Sequence, residues 1–237
     1  MAYFEIEGES LINVNNIDEV SENIKSLYFS DDFNKDLKKI PDHVEYISFG
    51  NEFNKDLHGI NFTYLLPKNL KIIEFGNKFN KNLICIPESV ISIVFSKDSE
   101  FNQPISYLPG NLQILRFGKY FNEMIVYLPK SLRILEFGFN YNQSVDIPDN
   151  IKTLMFGKKF NYPVQLTLNV ENIKFGDEYN QSLEKLPEKL KTIEFGEKFE
   201  QRIANFIREK QLKIIVRKNY PFMKELLKIA GINIIVR

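Results

Sequence analysis

Residues 112–129 read LQILRFGKYFNEMIVYLP, and this stretch decides the fold. The same order of apolar residues, glycine, aromatic residue, asparagine and proline returns nine times along the chain, at a period of about twenty residues. A unit this short cannot bury its own apolar face, so it has to stack on its neighbours. The sequence therefore predicts a solenoid of stacked coils.

Each repeat contains one short strand with a buried face and an exposed face. In the unit that starts at Leu190, Ile193 and Phe195 are the inward apolar residues. Thr192 and Glu194 alternate with them, which is the period-two pattern of a strand. Because every repeat has this segment, we expect a curved parallel β-sheet of about eleven strands. A coil of about twenty residues leaves no room for a long helix, which predicts short turns or 3₁₀ segments on the convex side.

Three further positions of the repeat have a structural interpretation. A glycine follows the strand in seven repeats, where a turn or the close approach of another backbone favours it. An aromatic residue comes three positions later, and with the strand phenylalanines it predicts two stacked columns of rings in the core. The next residue is asparagine in eight repeats, and we expect these side chains to be internal and to bridge neighbouring coils as a ladder of amides. This structural ladder comprises Asn34, Asn54, Asn80, Asn102, Asn122, Asn142, Asn161 and Asn180.

The combined pattern resembles the FNIP repeat, a relative of the leucine-rich repeats that occurs in social amoebae and their giant viruses. Residues 101–105, FNQPI, and 160–164, FNYPV, come closest to the name. The resemblance implies a leucine-rich-repeat-like solenoid. Family members often carry an N-terminal F-box, which makes them substrate adaptors of a ubiquitin ligase. About twenty residues precede the first repeat, fewer than an F-box needs, so we expect only an indirect link to host ubiquitin or signalling machinery.

We expect one continuous domain with three parts. Residues 1–23 are predicted to form an N-terminal cap or degenerate repeat, residues 24–200 the nine FNIP-type repeats, and residues 201–237 a C-terminal strand-helix-strand cap. The last prediction rests on two near copies, LKIIVR at 212–217 and INIIVR at 232–237. Between them, Pro221 to Ala230 has the spacing of an amphipathic helix that Gly231 would end. The edge of the last strand is either only capped or able to recruit a second copy.

Composition and charge exclude several classes of partner. The 31 basic residues equal the 31 acidic ones, so no overall field attracts nucleic acid or anionic lipid. No apolar run is long enough to span a membrane, and the acidic N-terminus lacks the order of a signal peptide. Asn142 and Asn180 lie in glycosylation triplets, but their expected internal position favours a cytoplasmic location, in the host cytoplasm if the protein is viral.

Residues with catalytic or metal-binding chemistry are few and scattered. His43 and His58 lie almost a full coil apart, and neither has a repeat-related Cys, Asp or Glu at a metal-ligand spacing. The single cysteine, Cys85, occupies a position that tyrosine fills in two other repeats. No phosphate-binding loop or nucleophile motif is present in the sequence. We therefore expect no catalytic residue, no cofactor and no metal, and a protein that is not an enzyme.

The outward face of the sheet is the candidate binding surface. An apolar patch with a charged rim suggests a protein contact, although strand propensity and ordinary cross-strand ion pairs also explain such residues. A six-residue insertion at 58–63 adds a loop candidate, His58 and Phe62. The candidate partner-binding residues are Tyr28, Tyr46, Ile72, Glu74, Val94, Ile114, Arg116, Ile134, Glu136 and Met155.

These features favour a non-enzymatic scaffold that binds a protein partner on the concave sheet face. The alternative is a self-assembling structural or virion-associated protein that uses its terminal edge strand, which would make a homodimer. Nucleic acid would require a basic stripe. Glycan binding would require exposed aromatic residues along the concave face, where only Tyr28 and Tyr46 qualify.

Overall fold

The computed structural model describes residues 9–12, 20–207 and 211–237. It contains one parallel sheet of twelve strands, each paired with the strand before it in the chain. The predicted curved parallel solenoid of about eleven strands is confirmed, and the additional strand is the first one. The strands are β1 Glu9–Ile12, β2 Ile24–Tyr28, β3 Tyr46–Ser48, β4 Ile72–Phe75, β5 Ser92–Phe95, β6 Ile114–Arg116, β7 Ile134–Glu136, β8 Thr153–Met155, β9 Asn172–Lys174, β10 Thr192–Glu194, β11 Leu212–Val216 and β12 Ile232–Val236.

The connections between strands are turns and short 3₁₀ helices, as the coil length predicts. The two 3₁₀ helices of the described residues are Ile60–Phe62 and Ala204–Phe206. Strand β1 lies in the segment predicted as an N-terminal cap and pairs with β2. The rest of that cap prediction, residues 1–8 and 13–19, lies outside the described residues.

Two columns of stacked rings fill the core and explain its curvature. Centroids of successive strand phenylalanines are 5.0–5.8 Å apart. Centroids in the second column, farther from the sheet, are 5.8–6.2 Å apart. Paired strands are about 4.8 Å apart. Because the spacing grows with distance from the sheet, each coil is a wedge and the sheet forms the concave side.

The glycine column is explained by close backbone approach rather than by an unusual conformation. A Cβ atom at Gly138 would overlap the carbonyl carbon and oxygen of Gly118, one coil earlier. Equivalent overlaps exist at Gly76, Gly157 and Gly176. Among the described glycines a positive φ occurs only at Gly231, with φ 77°. The coils therefore stack closely at this point because no side chain separates them.

The ladder asparagines link each coil to the next. The side-chain oxygen of Asn122, for example, accepts a hydrogen bond of 2.8 Å from the main-chain N–H of Asn142. Seven further bonds of 2.8–3.0 Å continue the series from Asn34 to Glu200. The expected internal position was wrong, because these side chains are half-buried or exposed at a surface turn. The argument from glycosylation at Asn142 and Asn180 therefore loses its basis.

The C-terminal cap contains a shorter helix than its sequence pattern predicts. Helix α1 spans Met223–Leu226, whereas the apolar spacing predicts helix from Pro221 to Ala230. Beyond α1 the chain turns more tightly than an α-helix, since the N–H groups of Lys228 and Ile229 donate to carbonyl oxygens three residues earlier. Gly231 then turns the chain back into β12.

Acid should weaken the link between the second and third repeats through Asp42. The main-chain N–H of Lys68 donates to its carboxylate at 3.0 Å, and the Lys39 ammonium donates at 3.1 Å. In that order, these bonds lower the pKa of Asp42 from 3.8 to about 2. Because the pKa is depressed in the folded state, the stabilisation is complete above the unfolded pKa and is lost as pH falls through about 2.

We expect the melting temperature of the wild type to fall more between pH 4 and pH 2 than that of the Asp42→Asn variant. The difference should correspond to less than about 1 kcal/mol, since the group is exposed to solvent. Differential scanning calorimetry across this range checks the expectation. Parallel pH profiles for the two proteins would contradict it.

Candidate functional site: a groove on the sheet face

Two adjoining cavities form a groove across the concave sheet face. One, of about 450 Å³, lies over strands β6 to β10. The other, of about 690 Å³, extends past the carboxyl ends of strands β5 to β9. They share four lining residues and therefore form one continuous depression, which we call the sheet-face groove. The shared residues are Arg116, Glu136, Met155 and Lys174.

The floor of the groove carries two cross-strand ion pairs. Arg116 lies opposite Glu136 in the β6–β7 register, and its Nε is 3.0 Å from Oε1 of the glutamate. Lys174 and Glu194 pair at 3.1 Å across β9 and β10, and Arg237 also contacts Glu194. Pairs of this kind between partly exposed groups contribute about 0.2–1 kcal/mol each. A partner carboxylate could therefore displace Glu136 or Glu194 at little cost.

Apolar side chains lie between the ion pairs. Met155 and Ile134 are half-buried and line the first cavity, and Phe139 is exposed at the edge of the second. Met155 lies on β8 directly between Glu136 on β7 and Lys174 on β9. A flexible thioether beside an exposed ring suits contact with an irregular apolar partner surface. Along the solenoid axis, the groove thus places one apolar side chain, Met155, between two ion pairs.

The predicted residues at the amino-terminal end of the sheet form a separate cluster. The rings of Tyr28 and Tyr46 have centroids 5.1 Å apart, and the Tyr46 hydroxyl donates a 2.9 Å hydrogen bond to Glu74. Burial first, and then the charge of Glu74, raise the pKa of the Tyr46 hydroxyl well above its usual value. The hydroxyl therefore remains a donor at physiological pH. These three residues do not line either cavity, and Val94 lies half-buried between the cluster and the groove.

Ile72 and Ile114 are not available as a contact surface. Their side chains are only 6% and 4% exposed, although both point to the concave side. Since the coils are wedges, side chains on this side converge and cover one another. Ile72 lies between Tyr46 and Ser92 in the strand register. The structure therefore leaves Ile134 as the member of the predicted isoleucine patch that reaches the groove.

Sequence reasoning missed the lysines at one wall of the groove. Lys97, Lys119 and Lys158 line the larger cavity. Each directly follows the glycine position of its repeat, at Ser96, Gly118 and Gly157. The recurrence of lysine at this position was the available signal. It places positive charge at the carboxyl ends of neighbouring strands, where the rim also carries Asp98.

The inserted loop lies away from the groove. His58 and Tyr64 form an antiparallel bridge, which closes residues 58–64 into a hairpin-like loop. The His58 ring lies 4.8 Å from the Phe62 ring, and its Nδ1 is 3.0 Å from the carbonyl oxygen of Gly59. The loop candidates His58 and Phe62 are therefore neighbours, but on a different surface from the other predicted residues.

Within residues 9–12, 20–207 and 211–237, no group of three or more His, Cys, Asp or Glu side chains could hold a metal ion. The same described residues include no helix that is long and apolar enough to cross a membrane. The groove presents ion pairs and apolar contacts, which are features of a binding surface.

Comparison with known families identifies the repeat. A family model described as FNIP Repeat matches residues 16–52, 37–78, 53–98, 101–140, 124–158 and 163–198, well over half of the chain. The chain belongs to the FNIP repeat family. FNIP repeats and leucine-rich-repeat solenoids are in general non-catalytic scaffolds, and repeat solenoids generally bind protein partners.

A solved structure extends the likeness beyond the repeat motif. The FNIP chain matches CroV588, a giant-virus protein described as a novel circular leucine-rich-repeat protein, with a TM-score of 0.71 and 27% sequence identity. The match covers 85% of the FNIP chain and 34% of CroV588. The chain thus spans about a third of the length of that relative. A comparison with curated protein sequences gives no match.

Proposed function

We propose that this FNIP protein is a non-enzymatic scaffold that binds a protein partner in the sheet-face groove. The observation that carries the proposal is the continuity of the two cavities through Arg116, Glu136, Met155 and Lys174. A groove that holds apolar side chains beside two ion pairs fits a partner segment with an apolar anchor and a carboxylate. Lysines on one wall favour an acidic partner through electrostatic attraction.

The family resemblance adds a suggestion about where the partner comes from. An indirect link to host ubiquitin or signalling machinery, met in the cytoplasm, would agree with the adaptor role of those family members that carry an F-box. The groove itself is independent of that setting, because it depends only on side chains of this chain.

Capture experiments with matched variants test the proposal. The groove variant combines Met155→Glu with Lys174→Glu, and the control variant is Lys185→Glu, an exposed residue of a coil's outer segment. Partners captured from cells that contain the protein are identified, produced as recombinant proteins and titrated by calorimetry. We expect the groove variant to bind at least about tenfold more weakly, since an apolar contact and a charge pair are lost. Equal affinities for all three proteins, with unchanged melting temperatures, would refute the groove as the binding surface.

The terminal strand supports a second candidate, self-assembly into a structural or virion-associated homodimer. In the described sheet, β12 pairs with β11 alone, and Ile232 and Ile234 are only partly buried. An unpaired edge of this kind can add a strand of a second copy. This second candidate predicts that the mass measured by light scattering rises with concentration and that the Ile234→Pro variant remains monomeric. A folded Ile234→Pro variant that still dimerises would rule out this edge.

A further inference from the structure

An apolar stripe runs along the outer side of the solenoid, opposite the sheet. It lies on the return segments, which we define as the stretch of each coil from the ladder asparagine to the proline. Its residues lie on the coils of residues 54–67, 102–109 and 122–129; Ile84 lies on the coil between the first two, and Met124 adds to the third. We call Ile60, Phe62, Tyr64, Tyr107, Val126 and Tyr127 the outer stripe.

Exposure of the outer stripe is high for apolar side chains. Ile60 is 87% exposed, Val126 83% and Phe62 60%. Tyr107 and Tyr127 occupy the same position in adjacent coils, two residues before Pro109 and Pro129. Contiguous exposed patches of Phe, Tyr and aliphatic residues are typical of protein interfaces rather than of a solvent-facing surface.

The backbone of the inserted loop holds part of the stripe outward. Asn61 and Phe62 have φ values of 56° and 58°, in the left-handed region that bulky residues rarely adopt. The Cys85 thiol donates to the Phe62 carbonyl oxygen at 3.5 Å, which ties the loop to the next coil. A strained conformation that exposes an aromatic ring does not serve the core, and strain of this kind is concentrated at binding surfaces.

Charge is graded along the same return segments. Those of residues 34–41, 54–67 and 80–87 together contain five lysines and two aspartates. The segment 102–109 contains no charged residue, and the next two, 122–129 and 142–148, contribute only Glu123 and Asp146. The return segments therefore change from a net positive charge over 34–41, 54–67 and 80–87, through the uncharged segment 102–109, to a net negative charge over 122–129 and 142–148.

This arrangement is self-complementary under a two-fold axis. If a second copy is turned by 180° about an axis through the centre of the stripe, its acidic end faces the basic end of the first copy at both sides. The uncharged apolar centres then meet each other. An isologous dimer requires a patch with this property. We propose that the outer stripe is the interface of a homodimer in which two copies pack with their stripes antiparallel.

Light scattering and analytical ultracentrifugation of the purified chain test the proposal. We expect a monomer–dimer equilibrium with a dissociation constant on the order of micromolar, as befits a small interface. Val126→Glu combined with Phe62→Ser should raise the dissociation constant at least about tenfold. Leu168→Glu, at an exposed apolar residue outside the stripe, should leave it unchanged. Equal melting temperatures would show that all three proteins are folded.

A charge-swap experiment tests the antiparallel arrangement. One variant carries Lys55→Glu and Lys81→Glu at the basic end, and the other carries Glu123→Lys and Asp146→Lys at the acidic end. Each alone should dimerise weakly, because like charges meet at both ends, and an equimolar mixture should form a heterodimer of wild-type affinity. A monomer at all concentrations, dimerisation that only Ile234→Pro abolishes, or mixtures that fail to recover affinity would each overturn the proposal.

Discussion

The Gly138→Ala variant should lose about 3 kcal/mol of unfolding free energy, at the upper end of overpacking costs, because the overlap cannot relax through a flexible side chain. The new Cβ atom would overlap the main-chain carbonyl of Gly118, so one backbone has to move rather than a flexible side chain. Movement there would also disturb the Gly157 contact on the next coil, since each glycine approaches the carbonyl of the coil before it. Urea denaturation monitored by circular dichroism measures the loss.

Gly110→Ala is the matched control for this substitution. A Cβ atom at Gly110 would meet only the Glu88 carboxylate, at an ordinary 3.5 Å. Its unfolding free energy should therefore change by less than about 1 kcal/mol, and a small gain is reasonable because alanine restricts the unfolded chain. Similar losses of unfolding free energy for both variants would show that the glycine column has a role other than close packing of the coils.

The second large effect is expected for Phe156→Ala, at about 3–5 kcal/mol of lost unfolding free energy. The Phe156 ring is buried and contacts three others, with centroids 3.7 Å from Phe160, 5.5 Å from Phe137 and 5.7 Å from Phe175. Its removal leaves a cavity in the middle of the strand column. Because a solenoid is stabilised mainly between nearest neighbours, the loss affects the coils on both sides.

Tyr162→Ala is a suitable control for the aromatic truncation. Tyr162 is partly exposed and follows the ladder position of the same coil. The Tyr162→Ala substitution should lower the unfolding free energy by less than about 1 kcal/mol in the same denaturation experiment. A comparable cost for both truncations would contradict the interpretation that the stacked columns, and not surface aromatics, hold the coils together.

Most of the fold follows from residue type at fixed spacing. The strand, the two ring columns and the amide bonds each depend on side chains at fixed positions of the repeat. Each of these positions recurs up to nine times along the chain. The solvent exposure of individual side chains was harder to predict from the sequence. Ile72 and Ile114 alternate correctly for the outward face, but wedge-shaped coils crowd that face and bury them. The ladder asparagines form the expected type of bond, yet at a surface turn instead of in the interior.

The candidate binding surfaces depend on curvature as well as on pattern. The sheet-face groove needs Met155 and Lys174 from different coils to converge with lysines beyond the strand ends, and a single repeat does not reveal that convergence. The recurring lysine after the glycine position was visible in the sequence as a pattern, but its meaning required the cavity. The outer stripe is similar, since exposure of Tyr107 and Val126 cannot be read from residue type alone.

Site-specific photo-crosslinking shows directly whether the partner lies in the sheet-face groove. A photoreactive phenylalanine analogue replaces Met155 in the groove or Lys185 on the outer side, and each protein is irradiated with the partner identified by capture. We expect an adduct from position 155 that an excess of unlabelled wild type suppresses, and none from position 185. An adduct from position 185 with none from position 155 would contradict the sheet-face groove as the site of partner binding.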